Sequence, residues 1–166
     1  MRKSILFIQF AIALLLVSSC SNESIQDEGL VEQTLLQTSV KEVEQDVHTI
    51  VNAFRIKEGL EALAFSEEAY SYAEEQTQFM INTGSFKHNN FNERASSLAQ
   101  LVDAQAVAEN IAKDYSTAEE AVNGWVTSPG HLKNIMGNFT HTSVSVANDK
   151  NGKLYYTQIF YRIDSE

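Results

Sequence analysis

The run Lys153-Leu154-Tyr155-Tyr156-Thr157-Gln158-Ile159-Phe160-Tyr161 carries the architecture. Side chains alternate across a strand. Tyr155, Thr157, Ile159 and Tyr161 therefore share one face, and Leu154, Tyr156, Gln158 and Phe160 the other. Both faces are substantially apolar, which predicts a strand covered on both sides. Immediately upstream, Ser143 to Ala147 reads as a partner strand. Asn148-Asp149-Lys150-Asn151-Gly152 between them is a hairpin turn signal. Ala106 to Ala112 supplies a further short strand. Several helices around a small sheet covered twice predict an α+β fold: a three-layer α-β-α sandwich whose small sheet is mostly antiparallel.

The helices follow from 3.6-residue periodicity. Val43, Val47, Ile50, Val51 and Phe54 form one apolar stripe of a helix over 42–58, ended by Gly59. A second helix is predicted from Ser66 to Thr83. Ser66 is its cap, Glu67 and Glu68 lie in its first turn, and Gly84 ends it. Tyr70, Ala73, Thr77, Met80 and Ile81 form its inner face. Asn92 is expected to cap a third helix through Leu101. Ser116-Thr117-Ala118-Glu119 reads as a capping box for a fourth, with Ala118, Val122, Trp125 and Val126 inward. No internal repeat is present.

Composition removes whole classes of function. The 166 residues are 43% hydrophobic and 20% charged, an ordinary globular mixture. Twelve Lys and Arg against 22 Asp and Glu give a formal charge of −10. Nucleic acid is not an expected partner, because phosphates must be met by clustered basic residues. A single cysteine, Cys20, excludes an internal disulfide framework and a multi-cysteine metal knot.

That cysteine stands at the end of a leader. Arg2 and Lys3 begin it, and Ile5 to Val17 is a mostly apolar run, short for a membrane span. Val17-Ser18-Ser19-Cys20 resembles a bacterial lipobox, which implies lipidation of Cys20 and cleavage before it. The expected organisation is a signal peptide over 1–19, a lipidated cysteine and acidic tether over 20–41, and the folded domain over 42–166. Residues 21–40 hold Glu23, Asp27, Glu28 and Glu32 and no basic residue, and read as a solvated spacer, partly helical near Leu30 to Leu36. The localisation this predicts is the cell envelope, on a membrane through the N-terminal lipid, facing the periplasm or the exterior.

No G-x-G-x-x-G, phosphate-binding loop, H-E-x-x-H or G-x-S-x-G is present. What remains is a dispersed constellation. Asn52, Arg55, Gly59, Leu60 and Leu63 open it. Phe86-Lys87-His88, Glu109-Asn110-Ile111-Ala112, then Trp125, Ser128, Pro129, Gly130, His131 and Asn134 follow, and Tyr156, Gln158 and Phe160 close it. In order and spacing these resemble the motifs of the CAP superfamily, the cysteine-rich secretory, antigen 5 and pathogenesis-related-1 proteins, in a small bacterial form. The resemblance covers about residues 43–163.

The resemblance implies a central cleft lined by His88, Glu109 and His131. The family's second acid falls on Ser128 here, so the four-residue set is incomplete. Ser128 before Pro129 reads as a helix cap with proline at the first position, starting a short helix to about Met136. His131 then lies in its first turn, where the positive helix end favours a neutral imidazole. Asn110, Trp125, Pro129, Gly130 and Asn134 are expected to be structural. His48 is expected to be solvated, and His141 structural or superficial. No cofactor is required. His88 and His131 could ligate zinc or another divalent metal with Glu109, or the three could form a hydrogen-bonded network without metal.

Three functions remain. The first is a membrane-anchored, non-enzymatic binding module whose cleft takes a small ligand, lipid or divalent metal. The second is a metal-dependent hydrolase acting on an envelope substrate, with Glu109 as general base. The third is an interaction module for an envelope protein, with a purely structural cleft.

Overall fold

A computed structural model describes residues 23–164. The leader and Cys20, with the expected lipid, lie outside the described residues. The elements are α1 (Glu23–Lys57), β1 (Ala64–Phe65), α2 (Glu67–Thr83), α3 (Phe91–Val102), β2 (Ala106–Lys113), α4 (Ala118–Val126), α5 (Pro129–Ile135), β3 (His141–Asn148) and β4 (Leu154–Arg162). The four strands make one sheet in the order β1-β3-β4-β2. β4 pairs antiparallel with both neighbours, and β1 runs parallel to β3.

The alternation of β4 is realised as two cores. On one face Tyr156 and Phe160 join Ala112, Val144 and Val146 under α1, α4 and α5, with Val47, Val51, Val122, Trp125 and Ile135 filling the layer. On the other, Ile159 and Tyr161 lie against Ala69, Ala73 and Leu98 of α2 and α3, and Tyr155 with Ile111 meets Met80. The sandwich is therefore α-β-α, as the two apolar faces of that strand require.

Three local expectations are corrected. The helix placed over 42–58 begins at Glu23, so the spacer, expected to be helical only near Leu30 to Leu36, is helical from Glu23 onward. Its Glu, Gln and Leu content favours helix irrespective of charge. The third helix is capped by Asn90, with φ +51°, rather than by Asn92, and without a side-chain capping bond. The capping box shifts by one residue. Thr117 Oγ1 accepts from the Glu120 amide and Glu120 Oε2 accepts from the Ser116 amide, because Thr117-x-x-Glu120 has the same spacing. The two-residue β1 is too short to have left a periodic signal.

The end of α1 follows from the helix-stop rule. Gly59 has φ +80°, the Leu60 amide donates to Arg55 O at 2.9 Å, and the Gly59 amide donates to Ile56 O at 3.1 Å. That is a Schellman motif, and the positive φ requires glycine.

Candidate functional site

β2 is an edge strand, and Glu109 and Asn110 stand in its middle. Glu109 pairs across the ladder with Ile159 and so points toward the α2–α3 layer. Asn110 points to the opposite layer. The site is built around this edge.

The Glu109 side chain is 1% exposed and both of its oxygens are engaged. Arg94 Nη2 donates to Oε2 at 2.8 Å and Arg94 Nε at 3.3 Å. His88 Nδ1 lies 2.9 Å from Oε1. Arg94 is itself buried on α3. A buried carboxylate facing a guanidinium through two donors is a compensated ion, and the third contact orients the imidazole. The His88 side chain is 46% exposed, so it presents its far edge to solvent.

The loop that carries His88 is held on both sides of it. Gln76 Nε2 donates to Lys87 O at 2.7 Å, and Arg94 Nη1 donates to Asn89 O at 2.8 Å. Arg94 therefore anchors both the carboxylate and the loop. Sequence reasoning missed Arg94 and Gln76. No local pattern separates a buried arginine on an amphipathic helix from a solvated one, and Arg94 lies six residues from the motif histidine.

His131 comes from the opposite layer, half-buried on α5. Burial, with the charge of His88 beside it, holds its imidazole below the ordinary 6.5. The direction matches the expectation, but the cause is burial and the second histidine rather than the helix end. Ser128 occupies the cap position with Pro129 after it, yet its side chain makes no capping bond. Its carbonyl accepts from the Leu132 amide at 2.8 Å.

The structural residues close the strand edge. The outward carbonyl of Glu109 accepts from Asn134 Nδ2 at 3.2 Å, and that of Ile111 accepts from Trp125 Nε1 at 3.0 Å. Asn134 Nδ2 also donates to Asn110 Oδ1 at 2.9 Å, and Asn110 Nδ2 donates to His131 O at 3.2 Å. Edge carbonyls would otherwise stay open to strand pairing. Here α4 and α5 cap them, and the same bonds tie His131 to the strand that bears Glu109.

As a resident zinc site this donor set is incomplete. Zinc sites use three or four protein ligands. Both oxygens of the buried Glu109 are already bonded, and among the described residues no group of three His, Cys, Asp or Glu stands together to hold a metal ion.

The family model of the cysteine-rich secretory proteins, CAP, matches residues 48–160. The chain belongs to that family. The uncharacterized protein YkwD of Bacillus subtilis is 34% identical over 115 residues, covering 67% of this chain and 45% of the relative. The uncharacterized membrane protein YlbC of the same organism is 30% identical over 125 residues, covering 72% and 34%. This chain thus spans less than half the length of either. The crystal structure of an extracellular protein from Bacillus anthracis containing an SCP domain is similar at a TM-score of 0.67 and 26% identity, over 77% of this chain and 43% of that one.

The opening CAP motif has a mechanical meaning in this chain. The Asn52 amide makes a two-way bridge to Leu63, accepting from its N–H at 2.7 Å and donating to its carbonyl at 3.0 Å. Buried Arg55 donates to the carbonyls of Glu61, Ile135 and Gly137 at 2.7–2.9 Å, tying the end of α1 to the end of α5. Ser143, where glycine is common in the family, is fully buried and donates its hydroxyl to Ser66 O. His141 stacks on Tyr161 with ring centroids 4.7 Å apart. His48 is not solvated as expected. It is half-buried, 3.4 Å from Asn52 Nδ2 and edge-on to Phe65.

Proposed function

We propose that this CAP domain is an extracytoplasmic binding module whose cleft receives a small polar ligand between His88 and His131. The observation that carries the reading is the full engagement of Glu109. A general base must reach the proton that it takes from a substrate. Glu109 is 1% exposed and holds Arg94 on one oxygen and His88 on the other, so it acts as an anchor that points the imidazole outward. His88 then offers its second nitrogen, and His131 a neutral imidazole, to hydrogen-bonding groups of a ligand.

The relatives support the location. YlbC is a membrane protein, and the Bacillus anthracis protein is extracellular. Among the described residues no helix is long and apolar enough to cross a membrane. We infer that the protein is held to the envelope through lipid on Cys20. Cys20→Ser should move it from the membrane fraction to the soluble one, and retention in the membrane would refute the anchor.

The cleft reading is tested in cells. A strain carrying His88→Ala with His131→Ala should behave as the deletion strain does, while the purified variant keeps its circular dichroism spectrum. Wild-type behaviour from that strain would place the function on the outer surface instead. A zinc titration of the metal-free protein at pH 7.5 should show no stoichiometric tight binding. Tight binding lost on His88→Ala would restore the metal reading.

A further inference from the structure

A second site lies at the other edge of the sheet. β1 pairs with β3 only as far as Phe65 against Thr142. Beyond it α1 and α2 stand on either side of the β3 edge and enclose a groove of about 470 Å³ over Val144. That volume is in the range of small-molecule pockets. The strand order places it two strands from β2, so it is separate from the histidine cleft.

The polar centre of the groove is Glu44. Its Oε1 accepts from the Val146 amide at 2.8 Å and from Tyr70 Oη at 3.1 Å. Both donors are neutral, and among the described residues no cation lies within ion-pair distance of Glu44. Burial pushes its carboxyl above the ordinary range. Glu109, by contrast, has Arg94. Exposed Lys41 on α1 acts on it from a distance and Glu74 on α2 opposes that, but neither is bonded to it. Glu44 is thus a half-buried acid with no ion-pair partner, beside an open cavity. The walls are aromatic. Phe65 is 54% exposed and edge-on to His48, and Tyr70 stands opposite on α2. Glu67 lies at the rim, with exposed Lys41 on the α1 side. A carboxylate flanked by aromatic rings suits a cation on an apolar stem, through a charge-assisted hydrogen bond and cation–π contact.

We propose that the groove between α1 and α2 is a second binding site, taking an ammonium or guanidinium group on a short aliphatic stem, with Glu44 as counter-ion and Phe65 and Tyr70 as walls. The cation could come from a free amine or from a basic side chain in a peptide, and the two are separable. The full-length protein in non-ionic detergent is titrated by calorimetry with butylammonium, with Ac-Ala-Lys-Ala-amide, and with the norleucine analogue of that peptide. Saturable binding of a cationic probe, absent for norleucine, is expected. Equal affinity for both cationic probes assigns a free-amine site, and a much tighter peptide assigns a basic peptide that also uses the β3 edge. Glu44→Gln keeps both hydrogen bonds in reach and should weaken binding about tenfold or more. Phe65→Ser, at an exposed position, should weaken it several-fold without unfolding the domain. His88→Ala should leave it unchanged, which separates this site from the cleft. Binding of the norleucine peptide as tight as the lysine one, undiminished binding in Glu44→Gln, or no binding of either cationic probe would overturn the proposal.

Discussion

Replacing Arg94 with Met would leave the buried Glu109 carboxylate with the His88 imidazole as its sole side-chain partner. Removing one member of a buried ion pair costs about 3 kcal/mol or more, so the melting temperature should fall sharply. Thermal unfolding reads this directly, and an unmoved midpoint would mean that Arg94 does not hold the carboxylate. His131 predicts a stability effect with a defined sign. Its folded pKa lies below the ordinary 6.5, so between those two values the unfolded chain binds more protons than the native one. Stability should therefore fall as pH drops below about 6.5, and His131→Asn should flatten that slope in urea midpoints at pH 5 and 7. Glu44 has the opposite sense. Its raised pKa means the ionised form is disfavoured in the fold, so Glu44→Gln should raise the melting temperature at pH 7. A lower melting temperature would show that the charge itself holds Val146 and Tyr70.

At the scale of elements, the free edge of β2 makes the sharpest prediction. Asn134→Ala removes the donor to Glu109 O and to Asn110 Oδ1. Trp125→Phe keeps most of the burial and removes the donor to Ile111 O. Each should cost about 1–3 kcal/mol, the range for stranding a buried acceptor. Amide exchange should quicken across β2 in both, and exchange confined to α4 and α5 would contradict the capping role. These elements also mark what a reader of the sequence can recover. The alternating apolar faces of β4 imply cover on both sides, and the layers follow. Ser66, Gly59 and Gly84 mark helix ends because caps and positive φ constrain residue type. Arg94, Gln76 and Glu44 leave no such mark. Each acts through a partner remote in sequence, and a polar residue on a helix reads alike whether it meets water or a buried carbonyl. The motif residues His88, Glu109 and His131 could be found, but their division of labour could not, since it rests on what holds each oxygen of Glu109.

For the whole molecule, the main revision concerns the chain before the domain. The acidic stretch read as a solvated spacer continues α1 from Glu23. At about 1.5 Å per residue, the turns before Val40 span about 25 Å. With the proposed lipid on Cys20, a helix of that length would hold the domain at a set distance from the membrane, where a coil would let it approach. Inserting two glycines and a proline near Gln33 should leave the melting temperature of the domain unchanged and shorten the distance from label to membrane in fluorescence quenching. An unchanged distance would show that the helix does not set the reach. The two proposed sites lie at opposite edges of one sheet, the histidine pair at β2 and the groove at β3, so a ligand at one need not obstruct the other.

The role assigned to Glu109 is the centre of the account, and the protonation state of His88 reports it. Long-range proton–nitrogen correlation spectra at pH 7.5 distinguish the two ring tautomers. An ionised Glu109 held by Arg94 accepts from His88 Nδ1–H, which leaves the second nitrogen free to meet a ligand. The Nδ1–H form, shifting toward the other tautomer in Glu109→Gln, is the expected result. A His88 protonated on the outer nitrogen alone, with Nδ1 bare toward Glu109, would mean a protonated carboxyl and would return Glu109 to the candidates for acid–base chemistry.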